Sequence, residues 1–414
     1  MNLLIKNIKQ LVTVSAAGKR FKAGPEMNDL GIIENAAVLI ENGRISWTGR
    51  TSDFEQTVPD SIDTLDAEGL VALPGFVDSH THTLFAGTRE NEFALRIAGK
   101  SYAEIASAGG GILSTVAAVR AATKKELKKN ARKHLDGMLR SGTTTVEIKS
   151  GYGLNEPDEI KMMDAINELA DEQLIGIAAT FLGAHAVPPE YTENTGEYVQ
   201  LICSRILPYL ARRKALQFCD VFCDNGFFSI DQARTILEAA RTLGISIKMH
   251  ADQLSQIGAS ALAAELGAVS ADHLEKINDA GIAALQRAGT IATVLPGVSF
   301  FLNEEYSPAR KIIGAGVPLA IASDFNPGSN MSFSMPLMMT IACTQMRLTP
   351  EEAITAATLN GAAALNMSGQ TGSIEPGKQA DIIFYDVPNY RSIIYHYGTN
   401  FAAHIVKHGT LLDY

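Results

Sequence analysis

His80 and His82 stand two residues apart, immediately after the apolar run Val71 to Val77. Side chains on a strand alternate between faces, so two imidazoles at this spacing project together and can converge on one metal ion. Four more residues of the same chemical kind follow apolar runs of their own: His185, His250, His273 and Asp324. Each has an ordinary structural role open to it. A pair spaced like His80 and His82 arises by chance among nine histidines, His185 or His273 can satisfy a loop, and Asp324 can cap the next turn. Taken jointly they suit a metal: His80, His82, His250 and Asp324 offer three imidazoles and a carboxylate, leaving a position for water on zinc or iron. Such an ion makes hydroxide available near neutral pH. Asp324 could then ligate through one oxygen and take the water's proton on the other, while His273 orients the water and stabilises a developing oxyanion.

The elements needed to gather these residues are legible as texture. Eight apolar runs, Leu70 to Val77, Thr143 to Ile148, Ile175 to Leu182, Gln217 to Phe222, Ser246 to Met249, Ala268 to Ala271, Thr290 to Leu295 and Val317 to Ala322, alternate with amphipathic stretches such as Pro157 to Glu172, Ile230 to Leu243 and Asp279 to Arg287. Eight strand-helix repeats over about 250 residues match a (β/α)₈ barrel of the TIM type, in the α/β class, whose strands end at one common mouth. A doubly wound sheet is the alternative, but no dinucleotide-binding loop follows the first run. Gly109-Gly110-Gly111 reads as a flexible active-site loop. Short strands before residue 65, and again around Ile382 to Tyr385 and His404 to Val406, predict a small β-sandwich domain built from both termini. The expected division is 1–65 with 370–414 for that unit and 66–369 for the barrel. Helices are expected from Pro350 to Leu365.

Composition narrows the partners. Apolar residues at 46% and charged ones at 19% describe a globular chain, and a formal charge of -10 argues against nucleic acid and anionic membranes. Cys203, Cys219, Cys223 and Cys343 form no disulfide framework, no signal peptide opens the chain, and Ala288 to Asn303 is too short to span a bilayer. The expectation is a cytoplasmic protein, as a homodimer.

The segments Phe85-Ala86-Gly87-Thr88-Arg89-Glu90-Asn91-Glu92-Phe93, Val146 to Leu154, Phe181 to Pro189, His250-Ala251-Asp252-Gln253 and Ser323 to Ser329 together resemble the amidohydrolase superfamily and, within it, the imidazolonepropionase family. The resemblance implies hydrolysis of 4-imidazolone-5-propanoate to N-formimidoyl-L-glutamate in histidine degradation, with one metal ion, zinc or iron. Two-metal relatives bridge their ions with a carboxylated lysine at the end of strand four, where this chain has Phe222-Cys223-Asp224. Lys149, at the end of strand two, is read as an ion pair or a substrate contact. For the substrate, the resemblance implies that Arg89 clamps the propanoate carboxylate, that Tyr152 and His185 hydrogen-bond ring or carboxylate, and that Asn326, Gly328 and Ser329 line the pocket beside the metal. Gln253 departs from the glutamate that related deaminases and some of the family carry. An amide moves no proton, so Gln253 is assigned to substrate binding and protonation of the leaving nitrogen to Asp324 or His273. The rival readings are a deaminase of a heterocyclic base and a non-catalytic barrel scaffold.

Overall fold

The computed structural model describes residues 2–54, 62–100, 104 and 109–412. Eight parallel strands form the barrel in chain order: β6 (Phe76–Asp78), β7 (Thr143–Lys149), β8 (Gly176–Ala184), β9 (Phe218–Cys223), β10 (Ser246–Ala251), β11 (Ser270–His273), β12 (Ile291–Val294) and β13 (Leu319–Ile321). Closure between β13 and β6 occurs just beyond their ends. There Thr81 bridges Phe325, Asp324 N donates to His80 O at 2.9 Å, and His82 N donates to Phe325 O at 3.0 Å. Asp78 reinforces the seam by accepting from Ser323 N at 2.9 Å and Ser323 Oγ at 2.5 Å. The backbone that closes the barrel therefore belongs to the residues that carry the candidate ligands.

Helices return the chain between strands. Helix Glu156–Glu172 starts at Asn155, whose side chain caps Asp158 N, and it buries Met162, Met163, Ile166 and Leu169 at the three-to-four spacing of one helical face. Helix Ile230–Thr242 opens with a Ser229/Gln232 capping box and buries Ala233, Ile236, Leu237 and Ala240. Each fully buried aliphatic side chain of this kind contributes about 1.5–3 kcal/mol, which is what holds such a helix against the strands. The expected run from Pro350 to Leu365 is two helices, Pro350–Ala357 and Leu359–Ala363, because Thr358 leaves the helical region at φ -126° and ψ -93°.

The second sheet joins the two ends of the chain. It contains β1 (Leu3–Val12), β2 (Ile32–Glu41), β3 (Arg44–Arg50), β4 (Asp63–Asp66), β5 (Val71–Pro74), β14 (Ile382–Tyr385), β15 (Ala402–Lys407) and β16 (Thr410–Leu412). The order is β16-β15-β14-β5-β1-β2-β3, with β4 also on β1. It folds over its own core of Ile5, Ile8, Leu11, Val38, Ile40, Ile382, Phe384 and Val406 as a sandwich.

One expectation needs correction. Leu70 to Val77 is two strands in two sheets, not one barrel strand. Gly75 N still donates to Asp381 O in the terminal sheet, and Phe76 N already donates to Gly142 O in the barrel. A Cβ on Gly75 would lie 2.1 Å from Thr144 Oγ1, so only glycine lets the chain pass this close as it changes sheets. Among the described residues, no helix is long and apolar enough to cross a membrane.

Candidate active site

The floor of the barrel mouth is made by imidazoles delivered from different strand ends. The His80 and His250 ring centroids are 4.5 Å apart, and His273 lies 5.4 Å from the first and 5.1 Å from the second. Asp324 Oδ1 lies 3.6 Å from His80 Nε2 and 3.4 Å from His82 Nε2. A four-coordinate centre with bonds of about 2.1 Å has ligand atoms about 3.4 Å apart, so these separations suit one ion. The hydrogen-bond account agrees. Among the described residues His80 Nε2, His250 Nε2 and Asp324 Oδ1 are buried without a partner, and an uncompensated buried polar atom is costly. His80 Nδ1 stands 2.7 Å from Asp272 Oδ2, and since a carboxylate only accepts, that nitrogen is the donor and Nε2 keeps its lone pair. His250 Nδ1 lies 3.0 Å from Asp220 Oδ2, an ion-pair approach off the line of a hydrogen bond.

Burial sets the protonation states. His80 and His82 are held well below the usual imidazole range, first by desolvation and then by neighbouring positive groups, so both are neutral and able to ligate. The Asp324 carboxyl is pushed up to about 7 by burial, against the opposing pull of His250 and the hydrogen bonds of Asn326 and Ser329. Its two oxygens differ: Oδ1 faces the histidines, while Oδ2 accepts from Ser329 Oγ at 3.3 Å. Backbone strain collects here as well. His273, Leu274 and Asp324 have φ of 81°, 70° and 49°, a region costly for residues with a Cβ.

Above the histidines lies a cavity of about 430 Å³. His82, Tyr152, His185, His250, His273 and Asp324 line its floor, and Phe222 and Phe227, stacked at 4.0 Å, form one wall. His185 stacks on His82 at 4.8 Å and points Nδ1 at Gly151 O, 3.1 Å away. The carbonyl fixes Nδ1 as donor, and desolvation lowers the His185 pKa to about 3. Its Nε2 is therefore an acceptor. The loop bearing Tyr152 is tied down by Glu159, which accepts from Gly153 N at 2.8 Å and Leu154 N at 2.9 Å. Gln253 reaches the cavity from a loop pinned by Asp224, whose Oδ2 accepts from Gln253 N at 3.1 Å and Leu254 N at 2.8 Å. A larger cavity, about 600 Å³, is lined by Lys214, Gln217, Ser246 and Gln370 beside the strand starts and contains no histidine or carboxylate.

Residues 71–409 match the model of the amidohydrolase family. The chain is 47% identical to imidazolonepropionase of Porphyromonas gingivalis (strain ATCC BAA-308 / W83), covering 100% of this chain and 97% of that protein. It is 44% identical to imidazolonepropionase of Geobacillus kaustophilus (strain HTA426), covering 99% and 97%. The chain belongs to the imidazolonepropionase family. Solved structures share the fold at lower identity. A zinc-bound adenosine deaminase from Xanthomonas campestris superposes with a TM-score of 0.73 at 20% identity, covering 99% of this chain and 92% of that one. The zinc complex of atrazine chlorohydrolase from Arthrobacter aurescens TC1 gives 0.69 at 16%, covering 99% and 95%. The imidazolonepropionase and amidohydrolase matches, together with the donor set above, support a divalent metal.

Set beside the motifs that resemble imidazolonepropionases, the structure brings His82, Arg89, Tyr152, His185, His250, Gln253, His273, Asp324, Asn326, Gly328 and Ser329 to one cavity, with His80 beneath it. Two of them are differently engaged than the sequence suggests. The Arg89 guanidinium is paired to Glu92 through Nε at 2.9 Å and Nη2 at 2.6 Å, which leaves Nη1 beside Gly328. The Asn326 amide is used within its own turn: Nδ2 donates to Asp324 O and Ser329 Oγ, and Oδ1 accepts from Gly328 N and Ser329 N. Lys149 makes ion pairs with Glu147 at 2.9 Å and Asp220 at 2.7 Å and does not line the cavity. Ile112, directly after the Gly109 to Gly111 run, lines the cavity, and Ser114 Oγ donates to Glu92 Oε1 at 3.2 Å.

Sequence reasoning missed Glu92, Arg96 and Glu304 on the walls and a buried charged layer of Glu147, Asp220, Lys248 and Asp272 beneath the histidines. The signal for that layer was present. Glu147 and Lys149 on β7, and Lys248 and His250 on β10, are ionisable residues at period two, alternating with apolar Val146 and Ile148 or Ile247 and Met249 in buried strands. Glu92, Arg96 and Glu304 gave no such signal, since they sit outside the strands where charged residues are usual.

Proposed function

We propose that this chain hydrolyses 4-imidazolone-5-propanoate to N-formimidoyl-L-glutamate in histidine degradation, as its family does. The observation that carries this reading is one cavity that joins a histidine and carboxylate donor set to an arginine whose Nη1 has no hydrogen-bond partner among the described residues. A heterocycle bearing an anionic arm fits that pairing, with its ring against Phe222 and its arm towards Arg89.

Bound by His80, His82, His250 and Asp324, a single zinc or iron ion would polarise the ring carbonyl and bring the pKa of water towards neutrality. Asp324 Oδ2 accepts the proton that the attacking water loses. His273 donates an N–H to the oxygen that becomes negative as the carbonyl carbon turns tetrahedral. The amide carbon–nitrogen bond then breaks, and the leaving nitrogen takes the proton that Asp324 received, directly or relayed through His273. Arg89 and Tyr152 hold the carboxylate, the acceptor Nε2 of His185 receives a ring N–H, and Gln253 hydrogen-bonds the substrate without moving a proton. Asn326 and Gly328 shape the turn that keeps Ser329 on Asp324. In this division of labour the barrel, 66–369, carries the chemistry, and the terminal unit, 1–65 with 370–414, to whose sheet Val71–Pro74 is also joined, braces it. The reaction is assigned to the cytoplasm, with four unpaired thiols in support, in a homodimer without nucleic acid.

The test follows the loss of ultraviolet absorbance of 4-imidazolone-5-propanoate, with and without a chelator. Metal-dependent loss with formation of N-formimidoyl-L-glutamate is expected. Release of ammonia instead would identify a deaminase, and a metal-free protein inert after metal addition would identify a scaffold.

A further inference from the structure

Beneath the candidate ligands, five charged side chains share one buried compartment. Glu147, Lys149, Asp220, Lys248 and Asp272 all have 0% relative exposure. Lys149 Nζ lies 2.9 Å from Glu147 Oε2, 2.7 Å from Asp220 Oδ2 and 3.7 Å from Asp272 Oδ2. Lys248 Nζ lies 2.9 Å from Glu147 Oε2, 3.6 Å from Asp272 Oδ2 and 2.7 Å from Ser79 O. Three carboxylates this close to one another cannot all stay ionised in a barrel interior without compensating charge. Two ammonium groups supply the same charge as one divalent cation.

The geometry supports that comparison. His80, Glu147 and Asp272 present ligand atoms all within 4.8 Å of one another, a spacing that a metal ion could bridge. Both ammonium groups stand 2.9 Å from Glu147 Oε2 and 3.6–3.7 Å from Asp272 Oδ2, hydrogen-bond and ion-pair distances rather than the ~2.0–2.2 Å of a zinc–carboxylate bond. Asp272 and Asp220, held by the lysines, face Nδ1 of His80 and His250 and leave each Nε2 to point at the upper site.

We propose that Lys149 and Lys248 are built-in counter-cations that restrict the barrel floor to a single metal ion, by occupying the carboxylate cage in which a second would bind. This rests on the metal-dependent reading above, in which His80 and His250 are ligands. The lysines act through Asp220 and Asp272 and are positioning residues. They make a mononuclear site out of a floor with enough carboxylates for two ions.

The experiment strips the intact protein with a chelator, reloads it with excess zinc, desalts it and counts ions per chain by elemental analysis. Wild type should retain one. The double variant Lys149→Met/Lys248→Met should retain two, with a melting temperature that rises on addition of the second equivalent. Two ions in wild type, or one in the folded double variant, overturns the proposal. So does a double variant that stays unfolded in excess zinc, because a divalent ion should replace the charge the two lysines supplied. A wild type that binds no ion would instead fail the metal-dependent reading itself, and this inference with it.

Discussion

Asp324 divides two tasks between two oxygens, and its environment makes both possible. Burial raises the carboxyl to about 7, close to the pH at which a base is useful, while Ser329 keeps Oδ2 oriented. A cation on Oδ1 favours the ionised form, so the acidic limb of kcat/KM should fall below pH 7. Activity is lost as pH drops through that limb because the protonated form cannot act as base, and a limb at or above 7 would argue against Asp324 in this role. At Arg89 the expected signature is in binding. Arg89→Met removes a charge-assisted contact of about 1.5–3 kcal/mol, so KM should rise about 10- to 100-fold with kcat changed far less. A proportional loss in kcat with KM unmoved would place the propanoate elsewhere. Gln253 and His273 separate in the same way: His273→Ala should lower kcat, and Gln253→Ala should raise KM. Near-wild-type turnover in His273→Ala, alongside abolished turnover in Gln253→Ala with binding intact, would reverse the assignment.

Among the elements, the loops after the strands do the placing, and they do so with side chains that gather backbone N–H groups. Asp224 gathers the backbone of 253–255, Glu159 gathers 151–154, and Asn326 folds the turn 326–329. Gly328 shows how tight this is. A Cβ there would lie 2.2 Å from Arg89 Nη1. The guanidinium is the mobile end of a long side chain, so Gly328→Ala should displace Arg89 rather than unfold the barrel. The expected result is a KM raised at least several-fold with a melting temperature within a few degrees of wild type, measured by steady-state kinetics and calorimetry. A large fall in melting temperature with unchanged KM would mean that the turn, not the arginine, gives way. These loop effects were not legible in sequence. The residues were visible as motifs, but which backbone amides a given carboxylate would collect depends on chain paths that only packing decides.

At the scale of the whole molecule, the N-terminal and C-terminal segments are fastened to each other, with Ile374 N donating to Thr13 O at 2.8 Å. Glu375 accepts from Ser15 Oγ at 2.8 Å and Ser373 Oγ at 2.5 Å and pairs with Lys378 at 3.1 Å. Burial alone would raise its pKa, but those hydrogen bonds and the ammonium lower it to about 2 from 4.5. A carboxylate with a depressed folded pKa stabilises the fold above its unfolded pKa, and the contribution is lost as pH falls through the folded value. Glu375→Gln should therefore lower the denaturation midpoint at neutral pH, and the difference from wild type should shrink below pH 4.5 and vanish near pH 2. A difference independent of pH would assign the effect to packing.

What the sequence determined by itself is the set of residues and the order of elements. Eight apolar runs of strand length, five of them followed by His80 and His82, His185, His250, His273 or Asp324, state both the barrel and the one end at which chemistry gathers, because strand periodicity is a local property repeated along the chain. The tertiary structure alone decided how those residues are charged and engaged. Burial made His80 and His82 neutral and raised Asp324, Glu92 took two of the three Arg89 nitrogens, and two lysines from separate strands met three carboxylates below the site. Gly75 likewise divided one apolar run between two sheets. Desolvation and ion pairing depend on distances between residues far apart in the chain, and sequence spacing does not encode those distances.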